Sequence, residues 1–340
     1  MDHAEGLRLE KVRCAGAHRA EDADPAGTAP QWDAVLVVEM AGPWPRDISM
    51  AEPFASLTDA PAATIVGADG RMWRPQGVLP ESADGSVRVM AFERATSGCG
   101  PFARREWRLP GGDPVRLRQL CTALLAADSD AVGGFSQWRD DPSEGTVDLL
   151  LCTHGNRDVC CGGSGAALHA AAVTALGGAD TQGASGGRRR LWRTSHAGGH
   201  RFAPTGVSFP DGVSWAHMDT ADVLAILDRA GDPRVLGTHW RGAVAMEPGP
   251  AQVADREGFS EFGWNWLAAD RKPVLVAHDR NSLDTTVDVL AEDRRSGVRS
   301  VRVSVALERH ISMPTCGAVD EPELKTEPVW MITKTETGTD

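Results

Sequence analysis

The segment CTHGNRDVCC, Cys152 to Cys161, holds three of the chain's seven cysteines, and SHAGGH (195–200) carries two histidines four positions apart. Thiolate sulfur and imidazole nitrogen are the donors that soft and borderline transition metals take up. Two pairs of donors on two segments is the layout a binuclear centre asks for. In a [2Fe-2S] cluster each tetrahedral iron has two bridging sulfides and needs two protein ligands, and a His pair can replace a Cys pair on one iron. The candidates are Cys152, one of the adjacent Cys160 and Cys161, His196 and His200; two neighbouring cysteines do not comfortably share one centre. Gly162, Gly163, Gly198 and Gly199 flank or separate these donors. Glycine lets backbone approach closely and turn its N–H groups toward cluster sulfur. On a helix His196 and His200 would share a face, but two intervening glycines cost about 1 kcal/mol each there, so a loop folded around a ligand is expected.

Two other chemistries use the same residues. Cys2His2 is a common structural zinc set, although zinc knuckles favour Cys-x2–4-Cys and the Cys152 to Cys161 spacing is wide. That reading gives a zinc-stabilised binding module. A thiol-redox enzyme of thioredoxin type would use Cys160 and Cys161, but the Cys-x2-Cys signature is missing. The sequence has no Walker loop, HExxH or GxSxG, and no Gly-rich dinucleotide fingerprint after a strand, so no separate catalytic residues are assigned. His154 is expected to bond backbone within its loop, and His169, within the Ala-rich helix, to be packed or at the surface. The run Arg188–Arg190 is read as a solvated face able to meet an acidic partner, and Trp192 as core or as a shield for the metal.

Elements must place these loops. TVDLLLC (146–152) reads as a buried strand, GAALHAAAVTALGG (165–178) as a helix closed by glycines, and RRRLWRTS (188–195) as a second strand. GVSFPDGVSWAHM (206–218) is a hairpin turning at Pro210-Asp211-Gly212, and DTADVLAILDRAG (219–231) a helix capped at Asp219 or Thr220 and ended at Gly231. Strand, helix, strand, hairpin, helix is the order of a thioredoxin-like α/β domain, with both donor loops after strands, where α/β sites form. Before it, Ala34–Val38 reads as a strand, 63–75 as a hairpin with Ala68-Asp69-Gly70 at its turn, and 115–127 as a helix. After it, 257–269 reads as helix, 272–278 and 298–310 as strands. The expected organisation is an N-terminal α/β domain over 1–143 with a weakly ordered first 30 residues, the thioredoxin-like domain over 146–231, and a C-terminal α+β segment over 232–340. Asp140 to Gly145 is the linker signal.

CTHGNRDVCCG followed by WRTSHAGGHRFAPT resembles the sucrase/ferredoxin-like family, whose core is similar to thioredoxin-like [2Fe-2S] ferredoxins. Those ferredoxins use four cysteines, the last two as Cys-x3-Cys before an xPxGVxY-like hairpin. Here SHAGGH takes that place before FPDGVSW. The resemblance thus implies Cys152, Cys161, His196 and His200 as the ligands of one [2Fe-2S] cluster, with Cys161 preferred over Cys160. The domain resemblance covers roughly residues 146–231, and the family resemblance extends over most of the chain. It implies an electron-transfer protein with an unidentified redox partner. No carboxylate pair for sugar chemistry stands out. Replacing two thiolates by neutral imidazoles removes about two negative charges, so the potential is expected to rise toward about −150 to +300 mV and, because imidazoles titrate, to depend on pH.

The bulk composition limits the rest. The 340 residues carry 47 Asp+Glu against 35 Lys+Arg, a net charge of −12, which argues against nucleic-acid binding because phosphate attraction needs a basic field. An apolar leader and an apolar run of membrane-spanning length are both missing, so a cytoplasmic protein without a membrane partner is expected. An odd cysteine count without a leader does not suggest a disulfide framework.

Overall fold

The structure, a computed structural model, describes residues 14–81, 84–95, 98–183, 186–280, 282–293, 297–313 and 325–339. Cys316 and the first 13 residues of the expected lead-in lie outside them.

The chain is a mixed α/β protein. Strand β1 (Ala34–Glu39) is buried along its whole length, as an apolar run covered on both faces should be. After it come β2 (Ile65–Val66), β3 (Met72–Val78), β4 (Val87–Glu93) and β5 (Ala103–Leu109). β2 and β3 form the expected hairpin, with Gly70 at φ +83° in its turn. β1 runs parallel to β3 and antiparallel to β4, which pairs with β5.

The central elements follow in the expected order: β6 (Val147–Cys152), a helix over Ala166–Leu176, β7 (Asp180–Gln182), β8 (Arg188–Thr194), and the hairpin β9 (Gly206–Phe209) and β10 (Val213–Trp215). β6 runs parallel to β8 and antiparallel to β9. The next helix, Thr220–Asp228, has a capping box between Asp219 and Asp222. It ends with Arg229 in the left-handed conformation, two residues before the expected Gly231. With β11 (Trp240–Ala243), these strands make one sheet in the order β11-β10-β9-β6-β8-β3-β1-β4-β5. The segments expected as separate N-terminal and central domains therefore share a sheet. They meet in the ladder at a single pair, Val78 with Thr194. The sheet folds over at that joint, because Phe92 of β4 stacks on Phe209 of β9 at 4.2 Å. Val35 and Val37 share a core with Leu149 and Leu151, while Ala34, Leu36 and Val38 face Leu120 and Leu124 of helix Pro114–Leu125.

A separate antiparallel sheet, β12 (Asp270–His278), β13 (Thr285–Asp293), β14 (Gly297–Met313) and β15 (Lys325–Thr339), closes the described chain. The helix expected over 257–269 begins earlier, at Pro250, and breaks at Gly263, whose φ is +65°. The clearest departure is at the start. Residues 14–30, expected to be weakly ordered, instead form the helix Cys14–Ala20 and a packed segment with Ala26 and Ala29 buried. The helix docks on the second donor loop, with His18 edge-on to Phe202 at 4.6 Å and Arg19 donating to the Ala203 carbonyl at 3.1 Å. Among the described residues, no helix is long and apolar enough to cross a membrane.

Candidate metal centre

Cys152 ends β6, fully buried, and its N–H donates to the Thr205 carbonyl at 2.9 Å. Cys161 opens a π-helical turn, Cys161–Gly165, that runs into the next helix; such turns recur at functional sites. The loop between them folds on itself. The Asp158 carboxylate accepts the Cys160 N–H at 2.8 Å, and the Gly162 N–H reaches the Asp158 carbonyl at 3.0 Å. Missing side chains let the backbone close. A Cβ on Gly162 would lie 2.4 Å from Gly155 Cα, and one on Gly165 only 2.1 Å from the Cys152 carbonyl oxygen.

The second loop leaves β8 beside the first, since β6 and β8 are parallel neighbours. His154 Nδ1 accepts the His196 N–H at 3.1 Å, so the expected backbone bond of His154 ties the two loops together. Gln76 of β3 donates to the His196 carbonyl at 3.1 Å, joined there by Arg74. Gly198 and Gly199 take positive φ, +89° and +72°, as the loop reading requires. His200 then opens a short 3-10 turn.

The donor atoms of Cys152, Cys161 and His196 lie within 4.8 Å of one another. Cys161 hydrogen-bonds Cys152 and holds the Cys152 thiol well below its usual pKa, and the same bond pushes Cys161 up. Burial lowers the pKa of His196 and keeps its ring neutral, the form that ligates. His196 Nδ1 is buried and has no hydrogen-bond partner among the described residues.

His200, the fourth candidate, is near but turned aside. Its ring is 6.2 Å from that of His196, centroid to centroid. Its Nδ1 sits 3.0 Å from Asp158 Oδ2 and 3.1 Å from Cys14 Sγ. Cys14, Asp158 and Cys160 form a second group of donor atoms within 4.8 Å of one another. Neither Cys14 nor Asp158 is among the donors expected from the sequence. Asp158 lay inside the recognised motif and could have been noticed there, whereas nothing local marks Cys14.

A cavity of about 140 Å³ opens beside His196, lined in part by Arg46, Arg74 and Arg157. Arg190, read as solvated, is buried and paired with Glu106 and Asp148. Trp192 is core: its indole N–H donates to Asp148 at 2.8 Å. A family model described as sucrase/ferredoxin-like matches residues 25–242. No curated protein and no solved structure matches the chain.

Proposed function

We propose that this chain, which belongs to the sucrase/ferredoxin-like family, is an electron-transfer protein that binds one [2Fe-2S] cluster through Cys152, Cys161, His196 and His200 in a thioredoxin-like domain. One observation carries the reading: two buried thiols and a largely buried imidazole converge on loops that leave adjacent parallel strands. The donor set fits a cluster with one Cys pair and one His pair. The order β8-β6-β9-β10, parallel in its first pair and antiparallel after it, supports the thioredoxin-like reading.

Bound there, the cluster supplies one-electron exchange. The protein's part is positioning. Arg74 and Gln76 fix the His196 backbone, and Asp158 holds Nδ1 of His200, leaving Nε2 as the ligating nitrogen in the carboxylate–histidine–metal pattern. The cavity with its three arginines gives an otherwise acidic chain a basic approach to His196, suited to an acidic face on a redox partner. The six described cysteines form no disulfide, which fits a reducing, cytoplasmic setting. The potential is expected to fall as pH rises, because reduction makes the ligating imidazoles more basic and a proton follows the electron.

A single zinc ion is the second reading, favoured by how closely Cys152, Cys161 and His196 cluster. Anaerobic purification followed by visible spectroscopy and iron, sulfide and zinc analysis separates the two. About two irons and two sulfides, with colour that bleaches on dithionite, support the cluster. A colourless protein without iron overturns it.

A further inference from the structure

Behind the proposed cluster ligands, Cys14, Asp158 and Cys160 bring one oxygen and two sulfur donors within 4.8 Å of one another. We propose that these three residues bind a second metal, a single zinc-type divalent ion. The proposal touches the cluster reading only through Asp158, which also holds Nδ1 of the proposed cluster ligand His200.

The sulfur spacing is that of a tetrahedron's edge. With metal–sulfur bonds of about 2.3 Å, an S···S edge should be about 3.8 Å, and Cys14 Sγ is 3.8 Å from Cys160 Sγ. His200 Nδ1 lies against two members of the group, 3.1 Å from Cys14 Sγ and 3.0 Å from Asp158 Oδ2, without joining it.

The surroundings fit the same account. Cys14, Asp158 and Cys160 are each at most 4% exposed. Asp158 Oδ1 is fixed by the Cys160 N–H, which aims Oδ2 at His200. Two thiolates and one carboxylate, with water in the fourth position, make a borderline-soft set that suits zinc. A Cys14–Cys160 disulfide explains the pattern less well. The sulfurs stand well beyond a bond length of about 2.05 Å, and a disulfide gives the Asp158 carboxylate nothing to do. The donors come from chain segments far apart in sequence, and Cys14 lies outside the stretch matched by the family model. The ion would pin the N-terminal helix over both donor loops.

The test is metal analysis of the full chain, expressed with iron and zinc and purified anaerobically. The expected result is about one zinc per chain besides any iron. Cys14→Ser and Cys160→Ser should each lower zinc about tenfold while iron and visible colour persist. X-ray absorption at the zinc edge of the unmodified protein should give two sulfur and two lighter ligands, which guards against variants that fail to fold. Wild-type protein with less than about a tenth of a zinc per chain overturns the proposal. So does zinc that Cys14→Ser leaves in place, since that ion sits at Cys152 and Cys161. Zinc lost from Cys14→Ser in a protein without iron would sink the cluster reading and leave this one standing.

Discussion

Two polar clusters are buried in this molecule, at opposite ends of β6 and β8, and they end differently. Near the starts of those strands, Arg190 donates to Asp148 at 2.6 Å and to both oxygens of Glu106 at 2.9 and 3.1 Å. Arg104 pairs with Asp148, and Arg88 reaches Glu106 at 2.6 Å. Burial pulls the pKa of Arg190 down, but Asp148 and Glu106 outweigh it and hold the guanidinium charged far above the usual range. Burial likewise pushes Asp148 up, and Arg190 with Arg104 brings it below the usual carboxylate range. At the other ends of the strands, Nδ1 of His196 and the Thr153 hydroxyl are buried without partners among the described residues. The first cluster answers its charges with the chain's own groups, with Arg88 Nε only at 3.6 Å from Glu39. The second leaves neutral groups unpaired, and the proposed metal would account for that difference.

Breaking each cluster should therefore give different losses. Cys152→Ser should abolish iron binding, at least about tenfold by iron analysis and visible absorbance, in a chain that still folds. Arg190→Leu should do the reverse. It takes one of two arginine partners from each of two buried carboxylates, at a cost of about 3–5 kcal/mol in urea unfolding, and leaves iron per folded chain unchanged. His200→Cys should keep the cluster and lower its potential toward about −400 mV, read by voltammetry. An unchanged potential would remove His200 from the ligand set.

A pH titration tests how the N-terminal helix is held. Burial, then Arg201, lowers the pKa of His18 to about 4; burial, then Arg19, lowers that of its partner His217 to about 3. Both values lie below the unfolded value near 6.5, so the unfolded chain binds more protons in that window. The contribution is fully present above pH about 6.5 and is lost as pH falls toward 4 and then 3. Hydrogen exchange in residues 14–20 should quicken over that range. Smallest in effect, His154→Ala removes the bond joining the two donor loops and should cost about 1 kcal/mol by urea unfolding.

What the sequence made legible follows from where the information sits. β6, the helix after Cys161 and the 206–218 hairpin were readable because each is a local apolar pattern bounded by glycine, proline or a cap. β4 and β5 were not, because buried Arg88 and Glu106 break the apolar alternation and are tolerated only through their pairing. The helix starting at Pro250 was hidden the same way, by buried Gln252 and Asp255. Within the site, Cys152, the Cys160–Cys161 pair and His196 could be grouped because their spacing within two short segments is itself the signal, while the preference for Cys161 rested on the family resemblance. Cys14 could not, since its neighbours Cys160 and His200 stand 146 and 186 positions away and only the docked helix brings them together.

The glycines at 155, 162 and 165 set a limit on variation. The gap between Cys152 and Cys161 is gauged by bare backbone against bare backbone, so a methyl added at 162 or 165 acts as a wedge against the opposite strand of the loop. A saturation library over these three positions, sorted by colour, should return glycine almost alone at 162 and 165. Sorted only for soluble expression, it should return a wider set.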